Sequence, residues 1–317
     1  MKRILLSALC ALPAFCFGQT LLYNDGAMIK VQAGATLYVE GGIQNTATGT
    51  IDNDGTIEVK GNFLNQGTWE ASQANTLKFS GNTNSDVTPG SAVFHNVIIQ
   101  KDATFNVNLL GNMTVNNNLD FNSVGSSKII TNNFDVKLGS AATVTGPDAD
   151  EYVATTGTGM MQKEVTADAT FLFPVGDAVE YSPISSNYSG SGYAAANIRV
   201  KANDLTHPNK PADATEYISR YWDVNATGIT GYSNTLTGTY VPADLTLGVG
   251  GTAAQVKGAV YDGTEWSYAG ASSGTNTATG TTADAAADFT GTNFFGKVMV
   301  QAFLQGAFNT GTGMMST

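Results

Sequence analysis

Short runs of alternating apolar and polar residues, separated by Asn and Gly, fill most of the chain and predict β-strands. The first runs repeat: TLYVEGGIQN, residues 36–45, aligns with TIEVKGNFLN, residues 56–65, so that Thr, Val, Gly and Asn positions coincide at an offset of 20 residues. A fixed period of about 20 residues with Asn and Gly at the corners is typical of a β-solenoid. Stacked coils pair their strands in parallel, so each coil satisfies the backbone groups of the next. We therefore predict a parallel β-solenoid over residues 19–146.

The same spacing continues more weakly over residues 93–146, where the period drifts and the number of coils cannot be counted. Two groups of asparagines, Asn116 to Asn118 and Asn132 with Asn133, fall where a coil would turn. Asn is suited to tight corners, and stacked Asn side chains also form ladders. We expect these asparagines to lie at corners or in an internal ladder.

A second texture begins after Gly146, where Tyr, Phe and Trp become more frequent. Seven or eight short alternating runs follow, with a hairpin signal at Asp262 and Gly263. Short strands at this spacing favour an antiparallel β-sandwich, which we place at residues 147–300. Trp222 and Trp266 are expected in its core or between its sheets, with a sugar-stacking surface as the alternative.

Several motifs of this region resemble one known kind of protein. ATFLFPVGDAVEYSPI, ISRYWDV and YDGTEWSYAG, together with the coil-like segments before them, are similar to modules of large secreted surface proteins of the Bacteroidota. In those proteins the module follows β-rich stalks and precedes adhesion modules or a type IX secretion sorting domain. The resemblance covers about residues 150–300 and implies an adhesin-like protein without catalytic residues or cofactor. It also implies that residues 301–317 begin a further module or form a truncated tail.

The N-terminus has the parts of a secretory signal peptide. Lys2 and Arg3 precede an apolar run that ends near Gly18, so we assign residues 1–18 as a leader and expect the mature protein to be secreted or held at the cell surface. Both cysteines, Cys10 and Cys16, lie in this segment. The mature chain is therefore expected to contain no disulfide and no cysteine-ligated metal.

Charge narrows the choice of partners. The chain has 26 acidic and 15 basic residues, a formal charge of −11, and no basic cluster. Such a surface repels the phosphates of nucleic acids, so we expect no nucleic-acid partner. After the leader no apolar stretch is long enough to span a bilayer. Glycans, extracellular matrix or other cells are the expected partners, and the oligomeric state stays open.

The stretch TIDNDGTIEV places three acids close together. Asp52, Asp54 and Glu58 suggest a calcium loop, but such a loop needs a bidentate acid at its twelfth position, and Glu58 comes too early. Their expected location is a corner and the outward face of the next strand. We interpret them as solvated residues, with calcium binding as the alternative.

Candidate chemistry is sparse. The two histidines, His95 and His207, belong to different regions, and beyond the leader the only arginines are Arg199 and Arg220. No nucleophile elbow, phosphate loop or zinc motif is present. We predict a non-enzymatic protein with no catalytic, cofactor-binding or metal-binding residue.

Two rival functions stay open. A β-solenoid lyase or hydrolase would need converging acids, and the candidates are Asp52, Glu58, Asp102 and Asp120. Glycan binding without turnover is the second alternative, and it would use exposed aromatic rings as stacking surfaces. The candidate rings are Tyr38, Trp69, Tyr188, Tyr193 and Tyr268.

Overall fold

A computed structural model describes residues 21–71, 75–123, 125–268, 272–274 and 276–292. The predicted leader, residues 1–18, and the predicted start of a further module, residues 301–317, lie outside the described residues. The fold class is confirmed. The protein is all-β, with a parallel solenoid of about seven turns followed by antiparallel sheet. Two short 3-10 turns, Pro242–Asp244 and Ala253–Gln255, are the helical elements of the described chain.

Three stacks of strands form the solenoid walls. The first is an eight-stranded sheet, with the strands Leu22–Asn24, Ile43–Asn45, Phe63–Asn65, Ser85–Thr88, Val107–Leu109, Ile129–Ile130, Val153–Ala154 and Val175–Gly176. The second is the parallel part of a longer sheet, with the strands Thr36–Val39, Thr56–Val59, Thr76–Gly81, Val93–Lys101, Met113–Phe121, Val136–Leu138 and Met161–Glu164, and with Thr143–Thr145 on a side branch. The third is a small sheet, with the strands Met28–Val31, Thr50–Asn53 and Thr68–Ala71.

The sequence repeat fixes the register of the first coils. Thr36 pairs with Thr56, and Thr56 pairs with Thr76, while Ile43 pairs with Phe63. These are the positions aligned by the 20-residue offset. The inward residues are fully buried and include Ile57, Phe63 and their neighbours in the stack. Each coil therefore buries its apolar face only when another coil covers it.

An internal asparagine ladder runs through the first three coils. The Asn24 side-chain amide donates to Asn45 Oδ1 at 2.8 Å, and the Asn45 amide donates to Asn65 Oδ1 at 2.8 Å. All three side chains are buried. Glycine makes room for them, because a Cβ on Gly49 would lie 2.3 Å from Asn45 Oδ1 and one on Gly67 would lie 2.8 Å from Asn45 Nδ2.

The asparagines singled out from the sequence do not belong to this buried ladder. Asn116, Asn117 and Asn118 belong to the strand Met113–Phe121, and none of them is buried. Asn132 does occupy a corner, with a left-handed φ of 54°. Asn132 thus meets the expectation of a corner, whereas Asn116 to Asn118 lie within a strand. The drift of the repeat period hides where each corner falls.

The antiparallel region continues the long sheet and adds a second one. The long sheet goes on through Gly192–Asn203, Tyr217–Thr230, Ala286–Thr292, Lys257–Tyr261 and Trp266–Tyr268, with Leu245–Thr246 on a side branch. The second sheet has five strands, Ala169–Phe173, Ile184–Ser189, Ser233–Thr239, Thr277–Thr282 and Ser272–Gly274. Trp222 is fully buried, as expected for a core residue, and its indole N–H donates to the Ser182 carbonyl at 2.8 Å.

The two architectures overlap along the chain. The sequence predicts that the solenoid ends and the antiparallel region begins at residue 147. Parallel pairing continues beyond that residue, since Val153–Ala154 pairs in parallel with Val175–Gly176. The antiparallel strand Ala169–Phe173 comes before that last parallel strand. The end of the solenoid is thus interleaved with the start of the antiparallel region. In the described residues no helix is long and apolar enough to cross a membrane.

Candidate functional site

The junction between the solenoid and the antiparallel region combines a continuous sheet with a network of buried ion pairs. Its backbone link is the strand Met161–Glu164, which pairs in parallel with Val136–Leu138 on one side and antiparallel with Gly192–Asn203 on the other. One 14-stranded sheet therefore passes from the solenoid into the antiparallel region. A ladder of backbone hydrogen bonds, rather than a flexible linker, joins the two.

Side chains of the strand Gly192–Asn203 reinforce this link. Arg199 bonds to both carboxylate oxygens of Asp135, at 3.0 and 3.2 Å, and Lys201 donates to the Gly157 carbonyl at 2.7 Å. The buried Thr155 hydroxyl accepts the Ala202 N–H at 2.9 Å. Asp135, Thr155 and Gly157 all belong to the last coils, so these contacts hold the C-terminal half of the strand against the solenoid.

Arg220 is the centre of the junction. Its guanidinium is fully buried and bonds to Asp177 and Asp244 at 2.7 Å each, to Asp204 at 3.3 Å, and to Glu180. Asp177 and Glu180 directly follow the last parallel strand, whereas Arg220 lies in the antiparallel strand Tyr217–Thr230. One side chain therefore connects the end of the solenoid with two separate loops of the antiparallel region.

The electrostatics of this network are uneven. Burial opposes ionisation of Asp177, but N–H donation from Val179 and Arg220 outweighs it and lowers the pKa of that carboxyl. Burial instead raises the pKa of Glu180 and of Asp204, with neighbouring carboxylates adding to the effect. Four acids around one guanidinium leave an excess of negative charge. Its effect falls on Glu180 and Asp204, whose ionised forms are disfavoured.

The same acids have the spacing of a metal site, because oxygens of Asp177, Glu180 and Asp204 lie within 4.8 Å of one another. Arg220 bonds to each of the three. The Arg220 guanidinium therefore occupies the place that a metal ion would take, and we interpret the cluster as an ion network centred on Arg220.

Two buried lysines form a second class of site that the sequence pattern did not reveal. Lys163 donates to the carbonyls of Gly139, Ser140 and Ala142 at 2.6, 2.9 and 2.7 Å, which uses all its protons. Burial lowers its pKa to about 8. Beside it lies an open cavity of about 400 Å³, whose lining includes Phe171.

Lys101 repeats this arrangement inside the solenoid. Its ammonium donates to the carbonyls of Lys60 and Ser80 at 2.8 and 2.6 Å, and burial lowers its pKa to about 8. Both lysines satisfy the carbonyls of coil corners. Because both ammonium groups donate to backbone carbonyls, we interpret both lysines as structural.

The acids singled out from sequence lie where corners and outward faces were predicted. Asp52 and Asp54 both bond to Lys30 of the preceding coil, and Glu58 pairs with Lys78 of the next coil at 3.2 Å. Asp102 is exposed in a turn, and Asp120 accepts a hydrogen bond from Thr145. The structure does not bring these acids together into one cluster.

The histidines have unlike surroundings. His95 is half-buried on the solenoid strand Val93–Lys101. His207 is buried in the antiparallel region, where its ring nitrogen Nε2 lies 2.9 Å from Asp288 Oδ2. No local pattern predicts a carboxylate partner for His207, because 81 residues separate it from Asp288.

Of the candidate sugar-stacking rings that the structure describes, Tyr188 is buried and Trp69 and Tyr193 are half-buried, which corrects the expectation that they are exposed. Trp69 packs against the core with its ring 5.2 Å from Phe94, and Tyr188 is only 4% exposed. Tyr38 is 46% exposed, while Tyr193 is half-buried and donates to Asp168 at 2.6 Å. The Tyr268 side chain lies outside the described residues.

Comparison of the chain with protein-family models, with curated proteins and with solved structures gave no match. Its function has to be argued from its own residues.

Proposed function

We propose that this chain is the stalk and first head module of a non-enzymatic extracellular surface protein. The parallel coils, which end with the strand Val175–Gly176, are the stalk, and the antiparallel strands, including the interleaved Ala169–Phe173, are the head. The observation that supports this proposal is the shared 14-stranded sheet, which joins stalk and head without a linker. A spacer that must hold a module away from a surface benefits from such a joint, because pulling on the head then loads many backbone hydrogen bonds together.

Secretion and adhesion belong to the same proposal. The leader-like residues 1–18 and the resemblance to Bacteroidota surface proteins support export. The acidic composition argues against a nucleic-acid partner. The chain would then display its head to glycans, matrix or other cells.

The test of this proposal is binding without turnover. Purified protein is offered to a panel of cells, matrix proteins and polysaccharides, and bound protein and soluble products are both measured. The proposal predicts retention on some of these surfaces with no product. Release of oligosaccharides would contradict it and would favour a β-solenoid lyase or hydrolase.

A second candidate function is glycan binding by the head itself, and the outer face of its five-stranded sheet favours it. On the described side chains of these strands, the outward positions alternate with buried ones and include no charged residue. They are Thr170, Leu172, Ser185, Asn187, Ser189, Ser233, Thr235, Thr237, Thr239, Thr277, Thr279 and Thr281.

This hydroxyl face differs from an ordinary protein surface, about a quarter to a third of which carries charge. Its hydroxyls stand in rows across the strands, with Thr235 3.1 Å from Thr281 and Thr237 2.9 Å from Thr279. Each hydroxyl is both donor and acceptor, which suits a neutral polyhydroxyl ligand. Threonine is also simply a good strand former, so binding has to be measured.

Thr237→Lys tests the face, because it places a charge in the middle of the rows. Affinity electrophoresis in gels containing neutral polysaccharides should show slower migration of the wild type and loss of that retardation in the variant. Thr56→Lys, on the solenoid wall, is the matched control. Equal retardation of all three proteins would remove this face from consideration.

A further inference from the structure

The loop of residues 204–216 lies over the outer side of the long sheet and is fastened there by His207. The His207 side chain is only 3% exposed. Its ring centre is 4.7 Å from those of Tyr221 and Trp266 and 5.1 Å from that of Tyr261. Aromatic edges thus enclose the imidazole on several sides and leave its nitrogens to make specific hydrogen bonds.

The hydrogen bonds of His207 define its tautomer. Nδ1 accepts the Asn209 N–H at 3.1 Å, so the ring hydrogen of the neutral imidazole is on Nε2. Nε2 therefore donates to Asp288 at 2.9 Å. The indole N–H of Trp266 donates to the Asn209 carbonyl at 2.7 Å and holds the next part of the loop. The imidazole–carboxylate bond is thus one of two side-chain hydrogen bonds that hold this part of the loop against the sheet.

Asp288 has a second, less favourable neighbour. It stands directly opposite Asp223 on the adjacent antiparallel strand, so the two carboxyls are cross-strand neighbours. Two like charges at this position destabilise a sheet. From the third strand, Asn203 donates to Asp223 at 3.1 Å and Lys201 attracts it at longer range.

A proton relieves this conflict. Burial, together with the neighbouring Asp288, raises the pKa of Asp223 to about 6. Once protonated, Asp223 donates to Asp288, and an unbroken chain runs from Asn203 through both carboxyls to His207. Without the proton the two carboxylates repel each other. This repulsion displaces Asp288, which is the acceptor for His207.

We propose that Asp223, Asp288 and His207 form a pH-sensitive latch, which holds the loop of residues 204–216 closed in acid and loosens it at neutral pH. Closing takes one proton from solvent onto Asp223, and opening returns it. Asp204, the first residue of the loop, also bonds to Arg220 at 3.3 Å, so the latch reaches the junction. The latch goes beyond the proposed stalk function, and its test does not depend on binding or force.

Hydrogen exchange measured by mass spectrometry on the whole protein tests the latch. Protection of peptides from residues 204–216 is compared at about pH 5 and about pH 7.5, after correction for intrinsic exchange. An open loop would remove burial of Asp223 but leave Asp288 opposite it, so its pKa would fall at most to the ordinary aspartate value of about 3.9, and protection should be greater at the acid pH by up to about tenfold. Peptides from the solenoid should show no such step.

Two variants separate the latch from a general effect of charge. Asp223→Asn keeps a donor facing Asp288 at every pH, so its loop should be protected at both pH values. Asp213→Asn removes a charge from an exposed position in the same loop and should keep the wild-type step.

Three results would overturn the latch. They are a wild-type change below about twofold against the expected maximum of about tenfold, a step that persists in Asp223→Asn, and loss of the step in Asp213→Asn. If circular dichroism shows that Asp223→Asn does not fold, the wild-type profile and the Asp213→Asn control decide the question.

Discussion

Replacing Arg220 by Met should destabilise the protein far more than replacing Arg199 by Met. The substitution keeps much of the side-chain volume but leaves the carboxylates around it without their cation. Asp244 is only 4% exposed and Asp177 only 17%, whereas Glu180 and Asp204 are 31% and 48% exposed. The first two acids carry most of the cost, because water reaches the other two.

The expected magnitude follows from this difference in burial. Removing one partner of a buried ion pair costs about 3–5 kcal/mol, since the remaining charge is left unpaired away from water. The two outer pairs resemble surface pairs and add about 0–1 kcal/mol each. We therefore expect Arg220→Met to lower the free energy of unfolding by about 3–7 kcal/mol.

Arg199→Met is the matched control, because Arg199 is the other arginine of the described chain and also bonds to an aspartate across the junction. Its side chain is 35% exposed, so this loss should cost about 1 kcal/mol or less. Urea unfolding followed by circular dichroism measures both variants against the wild type. Equal destabilisation of the two variants, or a cost below about 1 kcal/mol for Arg220→Met, would refute the central role of Arg220.

Two further predictions concern the solenoid and the buried lysines. Asn45→Ala removes the middle of the asparagine ladder and leaves buried donors and acceptors unpaired, so it should cost about 2–4 kcal/mol in urea unfolding. Gln44→Ala, one residue away on the outer side, should cost about 0.5 kcal/mol or less, and a similar cost for both would contradict the ladder. Lys101 and Lys163 have native pKa values of about 8, below the unfolded value of about 10.4. Between these values the unfolded state binds protons that the native state has released, so the free energy of unfolding should rise with pH. Lys163→Met should reduce that rise between about pH 7.5 and about pH 9.5, and an unchanged slope would show that the native lysine keeps an ordinary pKa.

The sequence was most informative where the repeat was regular. Thr36, Thr56 and Thr76 occupy one outward register position. The inward positions beside them pair in the same register and hold Leu37, Ile57 and Leu77, because the interior of successive coils demands similar apolar side chains. The asparagine ladder also left a local signal that was not used. Asn45 and Asn65 are each followed by a Gly-Thr step, and Gly49 and Gly67 supply the space that the ladder needs.

The junction was beyond the reach of local patterns. Arg220 meets Asp177 across 43 residues and Asp244 across 24, and neither spacing belongs to a strand or corner period. Trp69 illustrates a different failure. It was a candidate exposed ring, but it pairs with the buried Ile51 at an inward position and packs onto Phe63 and Phe94.

The central claim is that stalk and head form one mechanical unit, and single-molecule force spectroscopy tests it most directly. A chain that starts at Gln19 contains no cysteine, so handles can be attached through Met28→Cys in the solenoid and Val249→Cys in the head, both at exposed positions. The account predicts that head and stalk stay joined until one of them unfolds, and that Arg220→Met lowers the force of that first event. A separate low-force extension, in which intact head and stalk part before either unfolds, would contradict it.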